Sequence, residues 1–112
     1  TQGGVAQLNY PLVSDLNRTI TKHYEILTDD GFSFPALFIV DKEGIIQYYT
    51  VNNLLCRLSI NELLRILRSI QYIKENPGHA CPVDWKFGNK ILYSHPLKSK
   101  VYFKKLYSKK KN

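Results

Sequence analysis

Short apolar segments separated by polar turns mark the first part of the chain. Residues 8–13 are mostly apolar and predict a strand, although Pro11 interrupts the segment. Ser14 or Asp15 follows directly and can cap a helix that runs to about Tyr24. The pattern therefore predicts a strand and then a helix.

An unbroken apolar run and a tyrosine-containing segment flank a tight turn in the middle of the chain. Residues 36–40 are apolar without interruption, which is typical of a strand covered on both faces, so we expect this strand to be central in a sheet. Residues 41–44 have the length and the glycine of a hairpin loop. Residues 45–51 favour a second strand, and the two strands are expected to pair antiparallel.

A capping pattern opens an amphipathic segment in the second half of the chain. Ser59 is followed three residues later by Glu62, the arrangement of a capping box. Apolar side chains then fall on one helical face, at Ile60, Leu63, Leu64, Leu67 and Ile70 or Gln71. These positions predict a helix over residues 60–74, which ends before the Asn-Pro-Gly sequence of residues 76–78.

The sequence changes character at Cys81. Prolines and a glycine punctuate residues 82–96, where neither strand nor helix periodicity is sustained. Helical spacing returns at about residues 97–107. We therefore expect the chain from residue 81 onward to be an extended arm with a short terminal helix.

Composition and charge narrow the classes of protein. The 112 residues are 44% apolar, which predicts a single domain able to bury a core. The formal net charge is +7, but seven lysines and no acidic residue lie after residue 97, and the other nine basic residues balance the nine acidic ones. A solvated basic terminus is therefore favoured over a nucleic-acid interface. The alternative is a small basic module that binds nucleic acid or an acidic membrane surface, with binding that falls steeply as salt is added.

The sequence disfavours membrane insertion, metal binding and a disulfide framework. No stretch approaches the roughly 18 to 20 consecutive apolar residues of a membrane-spanning helix. Cys56 and Cys81 are the only cysteines, and His23, His79 and His95 are not spaced with them as a zinc site. We expect no cofactor and no metal, and any cysteine chemistry is expected to be redox chemistry.

Residues 78–88 carry a pattern more specific than periodicity. Their sequence, Gly-His-Ala-Cys-Pro-Val-Asp-Trp-Lys-Phe-Gly, resembles the V-C-P-x-x-W-K-x-G signature around the resolving cysteine of typical two-cysteine peroxiredoxins. Other motifs of that family's C-terminal half follow the family's order: the start of a G-G-L-G loop at Gly3 and Gly4, an L-F-I-I-D strand at residues 37–41, and a Y-F motif at Tyr102 and Phe103. The resemblance spans essentially all 112 residues. Because the opening residues begin no element and the chain has no methionine, we expect a C-terminal piece of a longer protein.

The resemblance implies an α/β, thioredoxin-like fold. Residues 1–80 would be the C-terminal part of the peroxiredoxin domain, and residues 81–112 the C-terminal arm. It also implies a thioredoxin-dependent peroxidase that reduces hydrogen peroxide and organic hydroperoxides. In such enzymes a peroxidatic cysteine, set in a P-x-x-x-T-x-x-C motif that these residues lack, is oxidised to a sulfenic acid. Cys81 would be the resolving cysteine, which condenses with the sulfenic acid of another subunit to form a disulfide that thioredoxin reduces.

Further roles follow from the same resemblance. The assembly would be a homodimer that can assemble further into a decamer, with the strand at residues 45–51 at a two-fold contact.

An inert buried thiol is the alternative for Cys81, and plain terminal packing is the alternative for the Y-F motif. The motif positions that flank Cys81 or would control local unfolding of the arm are Gly3, Gly4, Pro82, Trp85, Tyr102 and Phe103.

Two arginines of the family are replaced in this chain. Pro35 stands where relatives have the arginine that polarises the peroxide, and Leu58 stands where they have a second arginine, with Arg57 one position earlier. These departures support an alternative function, a degenerate peroxiredoxin that acts as a chaperone or assembly partner without peroxidase activity. Cys56 occupies a position that is aliphatic in relatives, so a small packed side chain is expected there rather than a reactive thiol.

The lineage is indicated by a finer resemblance. Residues 9–15, 41–44 and 71–77 resemble the cyanobacterial and chloroplast branch of the family. The abundance of isoleucine, lysine, asparagine and tyrosine also suits an AT-rich genome. Both observations predict a plastid location, with the cytoplasm as the alternative.

Overall fold

The computed structural model describes residues 7–108, which contain short strands and three helices. In chain order the elements are α1 (Thr19–His23), β1 (Ala36–Val40), β2 (Ile46–Val51), α2 (Ile60–Glu75), β3 (His79–Ala80), β4 (Leu92–Tyr93) and α3 (Pro96–Ser108). Strand β1 pairs with β2, and β3 pairs with β4. The chain divides into two compact units: the first runs up to Leu37 and includes Thr50–Arg57, and the second comprises Phe38–Tyr49 and the chain from Leu58 onward.

The first helix is shorter than the sequence predicts. The expected strand at residues 8–13 is absent from the described chain, and α1 begins at Thr19 instead of directly after Ser14 or Asp15. The Asp15 carboxylate does cap the helix, since it accepts hydrogen bonds from the backbone N–H groups of Ile20 and Thr21, each at 2.9 Å. These bonds lower the pKa of Asp15. A turn at residues 15–18 lies between this carboxylate and the helix. Because of this turn, α1 begins at Thr19 and not directly after Asp15.

The central hairpin follows the predicted bounds closely. Strand β1 is confirmed at residues 36–40, and β2 begins one residue later than predicted, at Ile46. Asp41 closes the loop because its carboxylate accepts from the backbone N–H groups of Glu43 at 3.0 Å and Ile45 at 2.9 Å. Gly44 has a φ of 81°, a conformation that a residue with a Cβ rarely adopts. The predicted central position of β1 is not found within residues 7–108, where β2 is its only strand partner.

Helix α2 begins with the predicted cap but without the complete capping box. The Ser59 hydroxyl accepts from the backbone N–H of Glu62 at 3.3 Å. The Glu62 carboxylate does not reach back to Ser59, because it binds the Arg65 guanidinium instead, at 2.7 and 2.8 Å. The helix ends at Glu75, one residue beyond the predicted end.

The buried side of α2 differs from the predicted apolar face. Ile60, Leu64 and Leu67 are 64%, 44% and 37% exposed, whereas Ser69 is buried. Trp85, 2% exposed, is the only buried hydrophobic side chain in the described part of the chain. Within residues 7–108, α2 therefore turns a polar stripe rather than these three apolar side chains toward the segment that contains Trp85.

None of the helices within residues 7–108 has the length and apolar content needed to cross a bilayer.

Candidate functional site

A tight reversal after α2 places Cys81 beside that helix. Gly78, with a φ of 84°, turns the chain out of the helix and into β3. Strand β3 then pairs antiparallel with β4, His79 opposite Tyr93 and Ala80 opposite Leu92. Cys81 follows β3 directly and lies outside regular structure, beyond the end of α2, as the sequence predicts.

The Cys81 thiol is partly buried against α2. Its Sγ lies 4.0 Å from the Ser69 carbonyl oxygen, and neither Cys81 nor Cys56 is in a disulfide. Burial raises the pKa of Cys81 above the ordinary value of 9.0, while the Ser69 contact and the positive charge of Arg65 act in the opposite direction and do not outweigh it. The resting thiol is therefore protonated at neutral pH.

This protonation predicts a characteristic pH dependence. In a Cys56→Ser variant, the rate of Cys81 alkylation by iodoacetamide is expected to keep rising with pH through 9 and beyond, because only the thiolate reacts and a raised pKa moves its formation upward. The measurement is the rate constant between pH 6 and 10.5, with free cysteine as the reference. A rate that levels off below pH 9 would contradict the burial argument.

One face of α2 holds the segment that contains Cys81. Residues 65, 69, 72 and 76 are spaced three or four apart and so share one face of the helix. We call residues 79–85 the Cys81 segment and these four residues the α2 ladder. Its contacts with the segment are Arg65 Nη1 to the Trp85 carbonyl at 3.1 Å, Ser69 O to Cys81 Sγ at 4.0 Å, Tyr72 Oη to His79 Nδ1 at 3.1 Å, and Asn76 O to the His79 N–H at 3.1 Å.

Trp85 closes the far end of the Cys81 segment. Its backbone N–H donates to the Pro82 carbonyl at 3.1 Å, which folds residues 82–85 into a turn. The indole Nε1–H donates to the Asn89 carbonyl at 3.2 Å, so the one polar atom of the buried ring is satisfied. The ring centroids of Trp85 and Tyr72 lie 5.0 Å apart. The motif residues Cys81, Pro82 and Trp85 thus lie in and directly before one short turn that contacts α2.

A groove of about 700 Å³ separates this turn from α3. Pro82 and Trp85 line one side, and Tyr102 lines the other. Phe103 is not among the lining residues and packs edge-on against Tyr102, with ring centroids 5.5 Å apart. The structure therefore brings three of the motif residues together, while Gly3 and Gly4 lie outside the described residues.

Cys56 does not have the packed environment that the sequence predicts. It is exposed, at the end of a turn in which its N–H donates to the Asn53 carbonyl at 2.9 Å. The expectation of a small packed side chain is wrong in this chain, because the turn directs residues 54–57 to the surface. Pro35 supplies no hydrogen-bond donor in place of the family's arginine, because a proline has no backbone N–H. Its carbonyl accepts from the Asn52 N–H at 2.8 Å.

The polar residues of the α2 ladder were not predicted from the sequence. Arg65, Ser69 and Tyr72 interrupt the apolar pattern at helical spacing, which is the signal that could have identified them. Within residues 7–108 no group of three or more His, Cys, Asp or Glu side chains could hold a metal ion. The reactive group among the residues of this site is the Cys81 thiol, which has one weak contact with the Ser69 carbonyl and feels the positive charge of Arg65.

The sequence of this chain is similar to those of known proteins. A sequence profile of the AhpC/TSA family matches residues 3–49. The candidate peroxiredoxin ycf42 of Trieres chinensis is 72% identical over 99% of this chain. The chain is thus similar to a peroxiredoxin over nearly its whole length. A chloroplastic 2-cysteine peroxiredoxin of Chattonella marina var. antiqua is 54% identical over 90% of this chain, so the similarity of peroxiredoxins extends through the Cys81 segment.

A solved peroxiredoxin structure confirms the fold class. The crystal structure of reduced Plasmodium vivax 2-Cys peroxiredoxin superposes with a TM-score of 0.78 and 34% identity over 82% of this chain. The predicted α/β, thioredoxin-like peroxiredoxin fold is therefore confirmed. The chain spans about half the length of the relatives it matches, 54% of the Trieres protein and 47% of the Plasmodium chain.

Proposed function

We propose that this chain is the C-terminal portion of a thioredoxin-dependent two-cysteine peroxiredoxin and that Cys81 is its resolving cysteine. The observation that carries the proposal is the setting of Cys81, a free thiol outside regular structure, at the start of a turn closed by Trp85. A resolving cysteine must leave its resting position to reach a second sulfur. A thiol on a short irregular segment can do so without unfolding a helix or a long strand.

The proposed reaction needs two thiols. A peroxidatic thiolate elsewhere in the longer protein attacks the peroxide, releases water or an alcohol, and becomes a sulfenic acid. Cys81 then attacks that sulfenic sulfur; the S–S bond forms, the S–O bond breaks, and the departing hydroxide takes up the proton that Cys81 loses. Two electrons and two protons from the dithiol of a thioredoxin-type reductant restore both thiols. The substrates are hydrogen peroxide and organic hydroperoxides.

The other motif residues are proposed to control this exchange. Pro82 and Trp85 fix the turn that follows Cys81, and Tyr102 faces the same groove from α3. Gly3, Gly4 and Phe103 are assigned to the same control of local unfolding by their resemblance to family motifs. Residues 1–80 would then belong to the catalytic domain and residues 81–112 to the arm that carries the resolving thiol.

Assembly and location follow from the same assignment. A homodimer, which can assemble further into a decamer, would bring Cys81 of one subunit to the peroxidatic cysteine of the next. Strand β2 has an edge unoccupied by any strand of residues 7–108 and is the proposed two-fold contact. The plastid location predicted from the sequence agrees with chloroplastic relatives such as those of Chattonella marina var. antiqua and Arabidopsis thaliana.

The second candidate function is a peroxiredoxin without peroxidase activity that acts as a chaperone or assembly partner. The observation that favours it is the environment of Pro35, which offers a carbonyl already bonded to Asn52 where relatives have a guanidinium. Arg57 is exposed and lies one position before the site of the second missing arginine. A thiol that loses a guanidinium partner reacts more slowly at neutral pH, because its pKa rises and less of it is present as the reactive thiolate.

We expect the 112-residue chain alone to show no peroxide turnover, because Cys81 has no sulfenic acid to attack. The assay follows peroxide loss with thioredoxin, thioredoxin reductase and NADPH, first with this chain and then with the complete gene product. Turnover only by the complete product supports the proposal. Turnover by the chain alone that Cys81→Ser abolishes would place the peroxidatic chemistry here, and a complete product without turnover would favour the second candidate function.

A further inference from the structure

Arg65 makes the strongest contact between α2 and the Cys81 segment. Its Nε and Nη2 donate to the Glu62 carboxylate at 2.7 and 2.8 Å, and its Nη1 donates to the Trp85 carbonyl at 3.1 Å. One guanidinium thus joins an acid on its own helix to the backbone at the end of the segment. Bonds in which the donor is charged are stronger than those between neutral groups.

The thiol itself is held weakly. The Cys81 Sγ lies 4.0 Å from the Ser69 carbonyl, and a thiol is a poor hydrogen-bond donor. This contact cannot keep the thiol in place when the rest of the segment moves away. The restraint must come from the ends of the segment, at His79 and at Trp85.

The two acceptors around Arg65, the Glu62 carboxylate and the Trp85 carbonyl, match the shape of a guanidinium. Glu62 occupies two N–H groups along one edge of Arg65 and fixes the plane of the group, so that Nη1 points toward the Trp85 carbonyl. A lysine carries the same charge at a single point on a flexible stem, and it cannot bind both acceptors with this fixed geometry. The function of Arg65 therefore depends on its shape as well as on its charge.

We propose that Arg65 is a positioning residue that latches the Cys81 segment to α2 and so sets how often the Cys81 thiol is released for reaction. The latch is four residues beyond the thiol, at the carbonyl of the buried Trp85. When it opens, the turn at residues 82–85 loses its only charged hydrogen bond to α2 among the described contacts. The relevance of the latch to peroxide chemistry rests on the proposed function, but its effect on thiol release does not.

The latch and the charge of Arg65 have opposite effects on thiol reactivity, so they can be separated. The guanidinium charge lowers the pKa of Cys81, and its removal alone would raise that pKa and slow alkylation at neutral pH. Loss of the latch exposes the thiol and accelerates alkylation at every pH. The sign of the change therefore identifies which effect dominates.

The experiment measures iodoacetamide alkylation of Cys81 and amide hydrogen exchange over residues 79–89 in the full chain with Cys56→Ser. Arg65→Lys keeps the positive charge and is expected to increase both rates about tenfold, the effect of losing one hydrogen bond to a charged group. Arg65→Gln is expected to increase hydrogen exchange equally and alkylation by less, because it also removes the charge that lowers the pKa of Cys81. Arg68→Gln is the matched control, an exposed arginine of the same helix, and is expected to leave both rates unchanged. Circular dichroism confirms that each variant retains its helices.

Three results would overturn the latch: slower or unchanged alkylation in Arg65→Gln, a wild-type rate in Arg65→Lys, or equal acceleration in Arg68→Gln. If Arg65→Gln does not fold, the comparison of Arg65→Lys with Arg68→Gln decides. The outcome is independent of the proposed function, because alkylation requires no peroxide and no second subunit. If the latch proposal is wrong, the complete gene product can still form a peroxide-induced disulfide through Cys81. If the resolving role is wrong, the alkylation result still stands.

Discussion

Replacement of Cys81 by serine is expected to abolish the peroxide-induced, disulfide-linked dimer of the complete gene product. Serine keeps the size of the side chain but cannot form a disulfide, so the sulfenic acid of the other subunit has no partner. The effect is all-or-none on a non-reducing gel after one equivalent of peroxide. Steady-state peroxide turnover with thioredoxin should also be lost, so that its rate equals that of the assay without enzyme.

The matched control for this experiment is Cys56→Ser. Cys56 is the other cysteine of the chain and is exposed, so it is accessible to any non-specific oxidation. If dimers form through accessible thiols in general, Cys56→Ser will weaken the dimer band and Cys81→Ser will leave part of it. A dimer that survives Cys81→Ser and disappears in Cys56→Ser would show that the resolving role has been assigned to the wrong residue.

Elements that depend on neighbours in sequence were predicted well. The hairpin of β1 and β2 is determined by an apolar run, a loop closed by its own Asp41 and a glycine with positive φ, all within sixteen residues. The start of α2 is likewise local, because the Ser59 hydroxyl bonds an N–H three residues away. Such signals are legible in the sequence since both partners of each contact lie within one short window.

Features that depend on distant contacts were not predicted. The sequence places apolar side chains of α2 on one face, yet Ile60 and Leu64 are exposed, and the helix directs Arg65 and Ser69 toward residues 79–85. Periodicity identifies the faces of a helix but not which face meets a neighbour. The motif around Cys81 indicates the site in the sequence. The α2 residues that contact the Cys81 segment have no such signature, because their partners are distant in sequence.

The short first helix illustrates a different limit. Asp15 was correctly identified as a capping residue, but its carboxylate bonds N–H groups five and six residues later, at Ile20 and Thr21. Capping rules assume a partner two or three residues away. The longer distance in sequence results from the turn at residues 15–18, where Arg18 adopts a φ of 57°. A positive φ is uncommon for an arginine, and the sequence pattern does not predict it here.

Replacement of Trp85 by alanine is expected to lower the free energy of unfolding of the second compact unit by about 3–5 kcal/mol, the usual cost of removing a buried aromatic side chain. The loss should be large because Trp85 is the one buried hydrophobic side chain of residues 7–108 and also contacts the Tyr72 ring. Urea unfolding followed by circular dichroism measures the change, since the variant removes the chain's only tryptophan and with it the fluorescence signal.

Two further variants separate packing from general sensitivity of the turn. Val83→Ala shortens a side chain that is 91% exposed in the same turn, and its effect should remain within about 0.5 kcal/mol. Trp85→Phe retains an aromatic ring and loses the indole bond to the Asn89 carbonyl, so its loss should be intermediate. Equal destabilisation by Val83→Ala and Trp85→Ala would mean that the turn is sensitive to any change. A Trp85→Ala variant as stable as the wild type would refute the argument that burial of this ring stabilises the second compact unit.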